Sequence, residues 1–272
     1  MLELREVTFG YNHKQPVLKN VSMHVAAGEF LAIAGRNGSG KTTVTRLLTA
    51  LKKPSAGSVL LNGENTAAFS PADMARHIGY VFQNPDRQIF RDTVAHEAAF
   101  GPEQLGFSPE EIKHSVDRAL SLTGLTELAG AYPPTLSKGQ KQRLTIASAL
   151  AMQPKLLILD EPTSGQDSCE RQKLLDLLLQ LNSQGMAIIL VTHDMEVIAR
   201  YPQRVIVMAE GEKVFDNTPR HLFSGNYPVT EWSLDYPQAV AISLEVFPGE
   251  ECVMSIDELY QKLQTKLGGD RQ

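Results

Sequence analysis

The segment from Gly35 to Thr43 combines glycines with a lysine and threonines at a spacing that suits phosphate binding. Glycines let successive backbone N–H groups turn toward one anion, and a lysine ammonium neutralises terminal phosphates. A threonine hydroxyl directly after that lysine is a ligand for Mg²⁺. The segment therefore predicts a site for the phosphates of a nucleotide, with Thr42 on the metal. Its residues are Gly35, Arg36, Asn37, Gly38, Ser39, Gly40, Lys41, Thr42 and Thr43.

Two adjacent carboxylates, Asp160 and Glu161, follow a short apolar stretch, Leu156–Leu159. In a parallel sheet such a strand ends at the carboxyl edge, where the phosphate loop also lies. We predict that Asp160 reaches Mg²⁺ and that Glu161 accepts a proton from a water attacking the terminal phosphate. Without the phosphate loop, two acids before Pro162 would fit a simple turn equally well.

His193 is a third polar residue at the end of a predicted strand, because it follows the apolar stretch Ile188–Val191. An isolated histidine at such a place is usually a capping or surface residue. Here it adds polar chemistry to the edge that already carries the phosphate loop and the acids. We therefore predict that His193 hydrogen-bonds the terminal phosphate and the attacking water.

The elements that must position these residues alternate strands with helices. Phe30–Ala34 is a buried type of strand that precedes the phosphate loop, and the helical stretch 168–184 separates the two strands described above. Residues 2–25 alternate in the manner of antiparallel strands. We predict an α/β fold: a P-loop NTPase (RecA-like) core with an N-terminal antiparallel β subdomain, an inserted helical subdomain and a small C-terminal module.

Domain boundaries follow from the remaining patterns. Helical periodicity without an apolar strand places the inserted subdomain at about 85–150, within a domain of residues 1–220. Three prolines, Pro228, Pro237 and Pro248, mark residues 221–272 as an accessory module. In that module we predict a strand over Ala241–Val246 and a closing helix capped by Ser255 and Glu258.

Composition excludes several classes of protein. The chain carries 31 acidic against 26 basic residues, for a net charge of −5, and has no long basic block, so we expect no nucleic-acid partner. No apolar stretch reaches the roughly 18 residues of a spanning helix. Charges near Met1 do not fit a signal peptide, so the expected location is cytoplasmic.

Residues 136–140 form one further segment, which resembles the signature motif of ABC transporter ATPases, and the resemblance covers about residues 1–220. Ser137 and Gln140 also form a capping box for a helix to about Ala151. The resemblance implies ATP and Mg²⁺ as cofactors and a head-to-tail dimer in which one subunit's signature completes the other's phosphate site. The segment comprises Leu136, Ser137, Lys138, Gly139 and Gln140.

The resemblance implies roles for three more residues. Tyr11 matches the aromatic that stacks on adenine, Gln83 matches the glutamine that senses Mg²⁺ and faces the membrane partner, and Asp167 matches an acid that contacts the opposite subunit. Two positions depart from the family pattern. Lys138 replaces a glycine and Gln166 replaces a leucine. Lys138 either adds phosphate attraction or lowers turnover, and the sequence leaves both readings open.

A narrower resemblance, over residues 83–106, is to the ATPases of energy-coupling factor (ECF) importers of vitamins, Co²⁺ or Ni²⁺. It implies three partners: a second ATPase subunit, identical or paralogous; a transmembrane coupling subunit; and a membrane-embedded substrate-binding subunit. It also implies a peripheral location at the cytoplasmic face of the cell membrane, with residues 221–272 as a possible dimer contact. The alternatives are another ABC importer class, a soluble ABC ATPase acting on chromosomes or ribosomes, and a P-loop kinase.

Overall fold

The computed structural model describes residues 1–11 and 15–269 and contains two β-sheets with helices around them. In chain order the strands are β1 (Leu2–Phe9), β2 (Leu18–Val25), β3 (Phe30–Ala34), β4 (Ala56–Leu61), β5 (Glu64–Asn65), β6 (Ile78–Val81), β7 (Leu156–Asp160), β8 (Ala187–Val191), β9 (Arg204–Ala209) and β10 (Glu212–Asn217). The helices are α1 (Lys41–Leu48), α2 (Pro71–Ala75), α3 (Val94–Leu105), α4 (Pro109–Leu122), α5 (Lys138–Ala151), α6 (Ser168–Ser183), α7 (Met195–Arg200), α8 (Pro219–Leu222), α9 (Gln238–Val246) and α10 (Ile256–Gly269).

The first sheet is antiparallel, with strand order β2-β1-β4-β5. Leu2 in β1 pairs with Val25 on one side and with Leu61 on the other. Apolar side chains of β1 and β2 face inward and join a core that also includes Val44 and Leu47 of α1. This sheet therefore covers the helix that follows the phosphate loop.

The second sheet has strand order β10-β9-β3-β8-β7-β6, and only its edge strand β10 runs antiparallel to its neighbour. Every residue of β3, β7 and β8 is buried, as expected for central strands covered on both faces. The carboxyl ends of β3, β6, β7 and β8 meet at one edge. Together the two sheets confirm the predicted α/β fold class.

Helices α3, α4 and α5 lie between β6 and β7 in the chain and pack on one another around Val94, Val116, Leu120 and Leu144. No strand occurs in the segment between β6 and β7, all of which the structure describes. This is the inserted helical subdomain of the predicted fold. Its loops lead directly to the sheet edge that carries the polar residues.

The segment after residue 220 packs against the second sheet. Phe223 and Val240 share a hydrophobic core with Ala34 and Val207, so this segment covers one face of the sheet. The division at residue 220 stays a prediction. None of the described helices is long and apolar enough to cross a membrane.

The strand predicted over Ala241–Val246 is wrong, because these residues belong to helix α9. The buried side chains in α9 are Ala239, Val240 and Ser243, and Ser243 follows the other two at the helical spacing of four and three residues. A short apolar run fits either a buried strand or a buried helix, and periodicity alone does not separate them. Packing against the sheet and against α10 selects the helix here.

Candidate functional site

The phosphate loop lies between the buried strand β3 and helix α1, and two of its glycines are required by its geometry. Gly35 has φ +142°, and a Cβ there would lie 2.2 Å from Met208 O. Gly40 has φ +106°, and a Cβ there would lie 2.6 Å from the Leu18 side chain. Neither position accepts another residue without displacement of its neighbours. The loop is thus closed tightly against β9 and β2.

Lys41 lies inside this loop with 6% of its surface exposed. Its ammonium donates hydrogen bonds to Gly35 O at 2.6 Å and Arg36 O at 3.0 Å. Burial lowers the pKa of Lys41, while the charges of Glu161 and Asp160 act in the opposite direction. A buried ammonium held by two carbonyl oxygens retains strong attraction for a phosphate anion.

Ser39 gives a further sign that the loop suits an anion. Its hydroxyl oxygen is buried and has no hydrogen-bond partner among the described residues. Buried polar atoms are nearly always paired, and an unpaired one at a functional site calls for an explanation such as a ligand. A phosphate oxygen at the loop would supply a partner.

A cleft of about 400 Å³ opens beside the loop. It brings together most of the predicted nucleotide and catalytic residues, although they are far apart in sequence. Of the predicted residues, its lining includes Tyr11, Asn37, Gly38, Gly40, Lys41, Thr42, Thr43, Gln83, Asp160 and Glu161.

Thr42 and Asp160 face each other in this cleft. Thr42 Oγ1 donates a hydrogen bond of 3.1 Å to Asp160 Oδ2, and Asp160 is only 7% exposed. Burial raises the pKa of Asp160, although the hydrogen bond from Thr42 lowers it. The described residues contain no group of three or more His, Cys, Asp or Glu that could hold a metal ion. Mg²⁺ commonly takes one or two carboxylates together with substrate phosphates, so this pair fits it.

Tyr80 is a site residue that sequence reasoning missed. Its hydroxyl donates to Asp160 Oδ2 at 3.3 Å and is hydrogen-bonded to Thr45 Oγ1 at 3.1 Å. Burial raises the pKa of Tyr80 and the neighbouring Asp160 charge adds to this effect, so the phenol stays protonated. A tyrosine in a strand is usually a core residue. The available signal was its position three residues before Gln83 at the end of β6.

Glu161 adopts a backbone conformation that is uncommon for a residue with a side chain, with φ +48°. Its amide donates to Val191 O at 2.9 Å, which ties it to β8. Gln83 Nε2 donates to Glu161 Oε2 at 2.9 Å, and His193 Nδ1 lies 3.3 Å from Glu161 Oε1. The structure therefore places all three predicted catalytic residues in contact, with Glu161 at the centre.

Tyr11 also lines the cleft and is 48% exposed. Its hydroxyl accepts a hydrogen bond of 2.9 Å from Arg46 and lies 3.4 Å from Thr43 Oγ1. Its ring packs edge to face on Phe9. These contacts hold the ring beside the phosphate loop, and its role in stacking on adenine stays a prediction.

The signature residues do not line this cleft, although Lys138 lines a neighbouring cavity together with Thr42 and Asp160. Ser137 and Gln140 form the predicted capping box, and helix α5 ends at the predicted Ala151. No residue of 136–140, all of them described, lines the 400 Å³ cleft. Lys138 Nζ instead donates to Ser164 O at 2.9 Å and Gly165 O at 3.2 Å.

Asp167 and Gln166 lie in the loop that precedes α6. Asp167 is the N-cap of α6, where its carboxylate accepts from the Glu170 amide at 2.9 Å. Its predicted contact with an opposite subunit stays a prediction. Gln166 Nε2 donates to Pro162 O at 3.0 Å, while its Oε1 is buried and unpaired among the described residues.

Comparison with known proteins places the chain in one family. The ABC transporter family model matches residues 18–164. A putative ABC transporter ATP-binding protein of Methanosarcina mazei is 47% identical over 206 residues, covering 76% of this chain and 35% of that protein. This chain thus spans about a third of that relative. The energy-coupling factor transporter ATP-binding protein EcfA of Methanothermobacter thermautotrophicus is 35% identical over 276 residues, covering 99% of this chain and 88% of that protein.

Two solved structures of ABC transporter proteins also align with most of this chain. CbiO1 of Clostridium perfringens, part of the ABC transporter complex CbiONQ, aligns with a TM-score of 0.77 and 33% identity over 89% of this chain and 97% of that one. The dimeric bacterial ABC transporter cassette MJ0796 aligns with a TM-score of 0.72 and 32% identity over 81% of this chain and 99% of that one. With its phosphate loop, acid pair and signature helix, the chain belongs to the ABC transporter family as an ABC ATPase.

Proposed function

We propose that this chain binds ATP with Mg²⁺ in the 400 Å³ cleft and hydrolyses it to power the membrane subunits of an ECF-type importer. The observation that carries the hydrolytic part is the contact of Gln83 and His193 with the two carboxylate oxygens of Glu161. A carboxylate held on both oxygens has a defined orientation. Glu161 accepts the proton of the attacking water, and His193 donates to the terminal phosphate.

The phosphate loop and α1 bind the phosphates of ATP. Backbone amides and the start of α1 face the anion, and Lys41 supplies the compensating charge. Thr42 and Asp160 would hold Mg²⁺, with Gln83 as a further contact. When bound, the ion would neutralise charge that develops on the phosphate oxygens. The half-exposed ring of Tyr11 is available to the adenine.

A dimer completes the site in this proposal. The start of α5 is an exposed, capped helix N-terminus that could receive a phosphate, yet it lies outside the cleft of its own chain. A second ATPase subunit, identical or paralogous, would bring its signature residues to this cleft. Closure on ATP and opening after hydrolysis then convert the reaction into motion.

The ECF type is supported by the EcfA relative and by CbiO1, both of which align along most of this chain. A surface patch that begins seven residues after Gln83 suits a membrane partner: Phe90 is 63% exposed and packs edge to face on Phe100, with the Arg91 guanidinium 4.8 Å from the Phe100 ring centre. Exposed aromatic and arginine side chains are enriched at protein interfaces. We place a transmembrane coupling subunit here, and a membrane-embedded substrate-binding subunit beyond it.

The transported substrate would be a vitamin or a transition-metal ion, and the chain would sit at the cytoplasmic face of the membrane. Affinity purification of the tagged chain from detergent-solubilised membranes of its native host tests this proposal. We expect two hydrophobic membrane proteins to copurify and to be lost when Phe90 is replaced by aspartate. Copurification with ribosomes or DNA instead would favour a soluble ABC ATPase and would overturn the proposal.

A further inference from the structure

Lys138, the first residue of α5, reaches a loop that lies directly after Glu161. Its ammonium donates to the carbonyl oxygens of Ser164 at 2.9 Å and Gly165 at 3.2 Å. We propose that Lys138 is a positioning residue for Glu161, acting through this loop. The inference rests on the proposed role of Glu161 as the base that accepts a proton from water.

The link from Lys138 to Glu161 is short. Ser164 is a shared point, because its carbonyl accepts from Lys138 and its amide donates to Glu161 O at 3.2 Å. Glu161 itself is held at φ +48°, a conformation that persists only when surrounding contacts enforce it. The turn that begins at Glu161 is therefore fixed at its far end by the lysine.

The helix start that carries Lys138 is a firm anchor. The Ser137 and Gln140 capping box closes its first turn. Lys141 donates to Asp86 Oδ1 at 2.8 Å, in the loop after β6, and Arg143 pairs with Glu170 of α6. These two contacts join the start of α5 to the loop after β6, which contains Gln83, and to the first turn of α6.

Lys138 does not serve the stability of its own helix. A cation at a helix N-terminus opposes the helix dipole, so this position favours an acidic or neutral residue. Gly165 also matches the contact, because its φ is +67° and a Cβ there would lie 2.3 Å from Lys138 Nζ. The positions of Lys138 and Gly165 therefore indicate that the ammonium binds this loop.

A competing role for Lys138 is direct attraction of a phosphate on a second subunit. The two roles predict different kinetics. A phosphate ligand that acts before the reaction would change the KM for ATP, whereas a residue that orients Glu161 would change kcat.

The test uses the full-length protein and measures steady-state ATPase activity against ATP concentration with excess Mg²⁺. For Lys138→Met we expect kcat to fall by about two- to tenfold, the usual worth of one or two hydrogen bonds, while KM stays within about twofold. Lys138→Arg keeps a donor for both carbonyls and should recover most of kcat. Lys113→Met removes an exposed lysine of α4 and serves as the matched control with kcat unchanged.

A double-mutant cycle with Glu161→Gln separates positioning from a general structural effect. If Lys138 acts through Glu161, then Lys138→Met should not lower the residual rate of Glu161→Gln further. An unchanged kcat in Lys138→Met, or a higher KM with normal kcat, would overturn the inference and leave the proposed function standing. A wild-type protein without ATPase activity would overturn the proposed function itself.

Discussion

Gln83 Nε2 lies 2.9 Å from Glu161 Oε2, although the two residues are 78 positions apart in the chain. Gln83 follows β6 and Glu161 follows β7, and these strands are parallel neighbours in the second sheet. The contact therefore joins the loop that leads into the helical subdomain to the proposed catalytic carboxylate. A movement of that subdomain would be transmitted to Glu161 through one hydrogen bond.

Replacement of Gln83 by alanine tests this contact. Gln83→Ala removes the donor to Oε2 and leaves Glu161 oriented from the His193 side alone. We expect kcat for ATP to fall about tenfold, as is typical for the loss of a hydrogen bond to a charged group. Gln264→Ala, on the exposed side of α10, is the control. Equal kcat values for Gln83→Ala and wild type would show that the contact has no part in the reaction.

Lys41→Ala tests the phosphate site. The variant removes the buried ammonium, so the backbone amides alone would face the phosphate charge. ATP affinity in calorimetric titration should fall by about 10- to 100-fold, the usual cost of a lost charged hydrogen bond. Lys155→Ala removes an exposed lysine that does not line the cleft and should bind ATP normally. Unchanged ATP affinity in Lys41→Ala would exclude the assigned role.

Tyr80→Phe tests the residue that the sequence did not reveal. Loss of the hydroxyl removes one of two hydrogen-bond donors to Asp160. The carboxylate is then oriented by Thr42 alone. We expect the Mg²⁺ concentration for half-maximal activity to rise by about two- to tenfold, the worth of one hydrogen bond. The exposed Tyr132 provides the control variant Tyr132→Phe. The same Mg²⁺ dependence in Tyr80→Phe and wild type would contradict the role of Tyr80.

Asp160→Asn tests how the stability of the protein depends on pH. Burial raises the pKa of Asp160 above its ordinary value of 3.8, so the folded state holds this proton more tightly than the unfolded state. The contribution of Asp160 to the free energy of unfolding therefore decreases as pH rises above 3.8. Without nucleotide or Mg²⁺, Asp160→Asn should unfold at a higher temperature than wild type at pH 7, and the difference should shrink toward pH 4.

The control for this measurement is Asp176→Asn, which changes an exposed aspartate on α6. A lower unfolding temperature for Asp160→Asn than for wild type at pH 7 would show that the carboxylate stabilises the fold. It would then contradict the view that burial makes this charge costly.

The phosphate loop and the acid pair could be predicted from sequence because their chemistry depends on adjacent residues. Gly35 and Gly40 are needed for local backbone geometry, and Asp160 and Glu161 end a strand that is apolar throughout. The fold class followed from the same strands. Each of these features is defined by residues that lie close together in the sequence.

Other parts of the site could not be predicted because they depend on distant contacts. Tyr80 is 80 positions from Asp160, and Lys138 is 26 positions from Ser164, so neither partner is visible in a local pattern. The apolar run Ala241–Val246 fits a strand or a helix, and only its packing decides for α9. Tertiary contacts supplied what local patterns left open.

The most direct test of Glu161 as the catalytic base compares ATP binding with ATP hydrolysis in Glu161→Gln, with the exposed Glu110→Gln as control. Because the variant leaves Lys41, Thr42 and Asp160 intact, ATP should bind with nearly wild-type affinity and the closed dimer should accumulate. Removal of the base should lower the steady-state hydrolysis rate by at least about 100-fold. A variant that hydrolyses ATP at the wild-type rate would contradict the assignment of Glu161 as the base.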